Sequence, residues 1–232
     1  LNPVLKYVRV RGVLTRSVSI ARDLVRIHGV PKLFSRILPW MVRRRYFLYS
    51  GSLTSPLPEF EADISLKVEP ASRDDLRLLL SIRPGYYELS RLLKRHDMGH
   101  VCFLAWAKGE PVHCRWAFTG STHLSYLGKQ LVLGPQEIFY DETFTVPRFR
   151  GLSVDFATLR VVLAWFRDRG FVRHHCLLTS WDFSLHRRAA AFAMRRTGEV
   201  RGWNILGWKA FRPQGLLRED GPGRFVIGSA RE

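Results

Sequence analysis

The chain has 232 residues, 46% apolar and 12% aromatic, enough for one domain with a sizeable core, and this composition excludes a disordered chain. Its formal charge of +17 attracts anionic partners or surfaces at long range without saying which. The charge is uneven: residues 1–45 hold eleven Lys and Arg against Asp23 alone, a net of +10, which leaves +7 for the other 187 residues.

Cys102, Cys114 and Cys176 form no C-x-x-C pair, and an odd number at wide spacing argues against a disulfide framework and for a reducing, cytoplasmic setting. No run of eighteen apolar residues exists, so no membrane-spanning helix is expected, and arginines interrupt every stretch that could form the core of a secretory signal. The chain opens on Leu1, consistent with a fragment, a processed product or an alternative start. Its Arg-rich, acid-poor beginning also has the composition of a transit peptide, but the pattern runs straight into the next element.

In chain order, Val18, Ala21, Leu24 and Val25, then Leu33, Phe34, Ile37, Leu38 and Met41, recur at helical spacing. They predict two basic amphipathic helices divided at Gly29-Val30-Pro31. Such helices either pack on the domain or lie on an anionic membrane, a peripheral contact through residues 1–45 at the inner surface. "RRRYFLYSGSL" reads as a short strand closing an extension over residues 1–53, and the proline-bearing stretch 54–63 as a linker.

The main domain is expected over 64–211. It begins with a strand at Ile64, Leu66 and Val68, a helix start at Ser72, Asp74 and Asp75, and a second helix from Tyr86 to His96. "HVCFLAWAKGEPVHCRWAFTG" predicts a hairpin about Lys108-Gly109, and "QEIFYDETFTV" a further strand. A helix from Ser153 to Arg169 carries Phe156, Leu159, Val162, Leu163 and Phe166 on one face and stops at Gly170. The strand "FVRHHCLLTS", the helix "SLHRRAAAFAMRR" and a strand pair about Gly202 to Gly207 come next, then a flexible tail over 212–232. The order implies an α/β fold of α+β type, a mixed sheet with helices on both faces.

The turn "VPRFRGLSVD" carries the chemistry. A nucleophile elbow on Gly151-x-Ser153 would need a third glycine where Asp155 stands and a sharper strand-to-helix turn, and Asp182 and His186 downstream lie too close together to complete it. A phosphate cradle fits better: unpaired amides at a helix start and the positive end of its dipole accept a diphosphate, Gly151 permits close approach, and Arg148 and Arg150 add charge.

The strand and "TVPRFRGLSVDFATL" resemble motif A of the GCN5-related N-acetyltransferase (GNAT) superfamily, roughly V-x-P-x-x-R-G-x-G-x-G/A. Thr145 takes the strand-end position, and Pro147, Arg150 and Gly151 match. Ser153 and Asp155 replace cradle glycines. The likeness spans about 150 residues, and the extension is loosely similar to members encoded with polysaccharide biosynthesis genes.

The resemblance implies a GNAT-like acyl-CoA N-acyltransferase with acetyl-CoA as co-substrate, held by Thr143, Phe144, Thr145, Arg150, Gly151, Leu152, Ser153, Val154 and Asp155. In that family the pantetheine arm lies between this strand and the next, which splay apart, and the Phe144 amide would polarise the carbonyl. Further on, Asp182 and Ser184 are similar to the family's N-x-x-S, but no tyrosine occupies the following helix, so the general acid is unassigned.

Alternation along the strand puts Asp141 on the face of Thr143 and Thr145, and Glu142 among Ile138, Tyr140, Phe144 and Val146. Family parity favours Asp141 as base; apolar flanks that raise a carboxyl pKa favour Glu142. His186 is an acid candidate facing the cleft, or "WDFSLHRR" is only a cap. His174 and His175 point to opposite faces, Gly99 breaks the His96/His100 spacing, and no metal site is expected.

The leading function is an N-acyltransferase, most simply an N-acetyltransferase, acting on a small-molecule amine acceptor such as an amino sugar. Alternatives are a degenerate member kept as a scaffold, and a tRNA-dependent aminoacyltransferase. Specific nucleic-acid binding is not expected, because basic charge without a recognition module gives only salt-sensitive attraction.

Overall fold

The computed structural model describes residues 43–205 and 208–228, so the amphipathic helices expected before residue 43 lie outside the described residues. Two sheets organise the chain. The larger has eight strands in the order β10-β9-β1-β8-β7-β4-β3-β2, the smaller four in the order β11-β12-β6-β5.

β1 (Arg43–Ser52) is not the close of an appendage, as expected, but lies inside the large sheet, antiparallel to β8 (Arg173–Thr179) on one side and β9 (Arg195–Ile205) on the other. Its neighbourhood explains this: Tyr46 and Leu48 are buried in the core on one face of the sheet, while Tyr49 and Leu53 pack on the other. A strand apolar on both faces needs cover on both.

β2 (Lys67–Pro70) forms the far edge, paired to β3 (Val101–Ala107). Lys108 and Gly109, at φ +51° and +81°, turn β3 into β4 (Glu110–Thr119), two left-handed residues that match the twist of a tight hairpin. The Ser72 hydroxyl and Asp75 carboxylate cap the first helical turn reciprocally; a short helix, α1 (Leu78–Ile82), and α2 (Leu89–Asp97) come after it. They cover one face of the sheet through Leu76, Leu79 and Leu92.

α3 (Val154–Arg167) links β7 (Glu137–Thr145) to the parallel β8, the crossover that parallel pairing requires. Leu159, Val162, Leu163 and Phe166 are buried against the opposite face together with α4 (Phe183–Ala191).

Beyond β10 (Trp208–Gly215), the expected tail is structured: β11 (Leu217–Glu219) pairs with β12 (Arg224–Ile227), which runs parallel to β6 (Lys129–Val132). Its glycines make turns, while Leu217 and Phe225 are buried. The hairpin partner of β6 is β5 (Ser121–Leu124), an element not expected from the sequence. Among the described residues no helix is long and apolar enough to cross a membrane.

Candidate functional site

β7 and β8 pair only from Glu137 with Arg173 to Phe139 with His175. β8 then stays with β1 as far as Thr179, and β7 stays with β4 as far as Thr145, so a gap opens between the two parallel strands after Phe139. Val146 N–H donates to Val112 O of β4 at 2.9 Å. Alternation therefore turns the Phe144 amide toward β4 as well, and the Thr143 and Thr145 amides toward the gap. The expected choice of Phe144 as the carbonyl donor is thereby overturned. The Thr145 carbonyl, on the same edge, accepts from Arg150 Nε at 3.1 Å.

A cavity of about 530 Å3 opens beside this edge, lined by Thr143, Phe144 and Thr145 of β7, Arg150, Gly151, Ser153, Val154 and Asp155 of the turn, and Ser184 and Arg188 of α4. Gly151 has φ +83° and Ser153 φ +55°, so the turn enters the left-handed region twice. A Cβ on Gly151 would meet nothing within 4 Å. The first helical amides to find acceptors are Phe156 and Ala157, both on Ser153 O at 3.1 Å, which leaves the Val154 and Asp155 amides with no partner in the helix. Leu152 contributes backbone and packing: its carbonyl accepts from Asp63 N–H at 3.1 Å, and its side chain packs with buried Val154.

Asp155 is not a bare carboxylate at this turn. It ion-pairs with Arg115 of β4, which is 1% exposed, and with Arg188, and it accepts from the Thr143 hydroxyl at 3.2 Å. His113 joins Thr145 through Nδ1 at 2.7 Å and Thr143 through Nε2 at 3.3 Å. Burial and Arg115 push the His113 pKa well down, so the imidazole is neutral. Burial and Arg115 also push Arg188 down, to about 9, still a cation at neutral pH. One carboxylate thus faces two guanidinia, and the surplus positive charge borders the cavity. In sequence the signal was Arg115 itself, a charge in an otherwise apolar strand, which must find a carboxylate.

The two candidate bases occupy positions that strict alternation did not give. Glu142 has φ +49°, and the register of β4 against β7 shifts beside it. This bulge resets the parity, since an extra residue turns the remainder of the strand to the other face. Asp141 comes to lie with Tyr126, Glu142 and Arg95, whereas Thr143 and Thr145 face His113 and α3. Glu142 is held by Arg95 of α2, so apolar flanks do not set its protonation. Burial first, and the Glu142 charge next, push Asp141 up to about 6.

His186 does not face the cavity. Its Nδ1 lies 3.1 Å from the Tyr49 hydroxyl, and its ring packs on Phe47 and Tyr49 of β1, because Ser184, Leu185 and Arg188 take the cavity side of α4. Asp182 is the helix cap, accepting from Ser184 N–H at 3.0 Å.

The large sheet is mixed, its two parallel strands part halfway, and a helix start of unpaired amides lies beside the fork. The chain is similar to a GNAT-family acetyltransferase structure from Novosphingobium aromaticivorans, with 12% identity and a TM-score of 0.49 over 68% of this chain and 62% of that one. It is likewise similar to a GNAT-family acetyltransferase from Colwellia psychrerythraea, with 12% identity and a TM-score of 0.49 over 67% of this chain and 53% of that one. A third similar structure is AAC(6')-Iy in complex with the bisubstrate analog CoA-S-monomethyl-acetylneamine, with 16% identity and a TM-score of 0.46 over 57% of this chain and 92% of that one. The chain spans less than two thirds of the length of the first two structures. No protein-family model matches the sequence, and no curated protein sequence matches it.

Proposed function

We propose that the protein is an acyl-CoA-dependent N-acyltransferase, with an acetyl group transferred to a small primary amine such as an amino sugar. The observation that carries this reading is the gap between β7 and β8, with unpaired amides at its turn and Asp141 on its inner strand. The turn suits a diphosphate: Gly151 leaves open space, and Arg150 and Arg188 line the cavity, while Arg115 and Arg188 occupy the Asp155 carboxylate.

When bound, an acyl-CoA supplies the thioester whose carbonyl carbon the amine attacks. The edge amides of Thr143 and Thr145 hold the pantetheine arm, and Thr143 N–H, the nearer to Asp141, stabilises the developing oxyanion. One such donor is worth about 3 kcal/mol in acyl transfer. Asp141 accepts the amine proton as the C–N bond forms, the C–S bond breaks and CoA leaves as the thiolate, with a pKa of about 6 suited to a base near neutral pH. Calorimetric titration with acetyl-CoA and with CoA tests the reading, followed by an acceptor screen with thiol detection. Binding with turnover of an amine supports it, and absence of any CoA affinity overturns it.

A further inference from the structure

On the acyltransferase reading, we infer that the acceptor is a small amine bearing an anionic group, a phosphate or a carboxylate, and not an amine without an anion or a polycation. The loop between β5 and β6 places Ser125 next to Tyr126, whose hydroxyl faces Asp141. Two cations from distant parts of the chain converge on Ser125. Lys209 of β10 donates from Nζ to its carbonyl, and Arg91 of α2 lies 3.5 Å from its hydroxyl. Arg91 also lies 3.8 Å from Glu142.

The surrounding charges extend the pattern. Arg44 of β1 is close enough to Lys209 to help burial push its pKa down, and Arg91 and Lys209 both push His123 down beyond the effect of its burial. Against this rim stand Asp141 and Glu142, of which Glu142 is already engaged by both terminal nitrogens of Arg95.

A primary amine is a cation at neutral pH, and a neighbouring cation repels it, more strongly beside a protein surface than in bulk water. A polyamine would meet that repulsion several times over. An amine with a phosphate or carboxylate meets the opposite field: the anion seats on Lys209 and Arg91, and its amine is directed inward to Asp141. The rim thus acts on selectivity, while the β7 edge acts on the acyl donor.

The test measures binding calorimetrically, with CoA present, for glucosamine, glucosamine 6-phosphate, aspartate and spermidine, in the wild type and in Lys209→Met. The expected result is binding at least about tenfold tighter for an anionic amine than for glucosamine, no preference for spermidine, and a narrower ratio in Lys209→Met. The phosphate and the carboxylate arms show which anion the rim takes. Equal binding of all amines, tighter spermidine binding, no binding of either anionic amine, or a ratio unmoved in the variant overturns the inference. Because these are equilibrium measurements, preference for an anionic amine without acetyl-CoA affinity would sink the acyltransferase reading while leaving the rim assignment standing.

Discussion

Arg95 holds Glu142 through both terminal nitrogens, at 2.8 and 2.7 Å, and this pairing separates two adjacent carboxylates chemically. Both side chains are nearly covered, 11% and 12% exposed. Replacing Glu142 by Gln leaves a largely buried guanidinium without its counter-charge, a change that typically costs about 3 kcal/mol. A clear fall in Tm is expected on thermal unfolding. It also removes the charge that helps raise Asp141, so the acid limb of the rate profile should move to lower pH. An unchanged limb would mean that the two carboxylates do not communicate.

On the proposed mechanism Asp141 sets the pH dependence. With a pKa of about 6, kcat/KM should rise with pH through that value and level off above it. Asp141→Asn should lose about 100-fold or more and abolish the limb. Stability runs the other way. The folded pKa is raised from 3.8, so the burden of burying the charge is absent below pH 4, grows as pH rises to about 6, and then stays. By that shift it amounts to about 2 to 3 kcal/mol. Asp141→Asn should therefore be more stable than the wild type at pH 7 in urea unfolding. A variant with full activity and an intact limb would remove Asp141 as the base.

Local signals explain which features could be read from the sequence. Lys108-Gly109 marked the β3–β4 hairpin, and the apolar stripe of α3 gave its buried face, because turn chemistry and periodicity act within a few residues. The parity of β7 was not legible: Glu142 adopts a left-handed conformation that glutamate seldom takes, and no glycine announced the bulge. The place of β1 between β8 and β9 depends on strands over a hundred residues away, and His186 was turned from the cavity by which side of α4 meets β1. The Arg-Gly turn was legible, whereas Arg115 signalled only that some carboxylate must face it, and nothing local named Asp155 or brought Arg188 to it.

Gly151 offers a clean probe of the cradle. Its φ of +83° is disfavoured for a residue with a Cβ by about 1 to 2 kcal/mol, yet a Cβ there meets nothing within 4 Å. Gly151→Val should therefore fold, with a modest drop in Tm, while its altered backbone misaims the turn amides. CoA affinity should fall by tenfold or so on calorimetric titration, about 1.4 kcal/mol. Affinity equal to the wild type would show that the diphosphate does not rest on this turn.

The Asp155 network separates structure from binding. One carboxylate lies between buried Arg115 and Arg188, so the two arginines are not equivalent when it is altered. Asp155→Asn leaves both guanidinia buried without a counter-charge, and a loss of about 3 kcal/mol or more is expected. Arg188→Met instead leaves Asp155 balanced by Arg115 and replaces a cation by a side chain of similar length. Stability should change little, but the cavity loses the surplus positive charge that faces an incoming diphosphate, and CoA should bind less tightly, with a shallower dependence on salt. Tm and CoA affinity measured for both variants decide the point. If Arg188→Met destabilises as much as Asp155→Asn while binding CoA normally, Arg188 is a structural ion-pair partner and the diphosphate draws its charge from elsewhere in the turn.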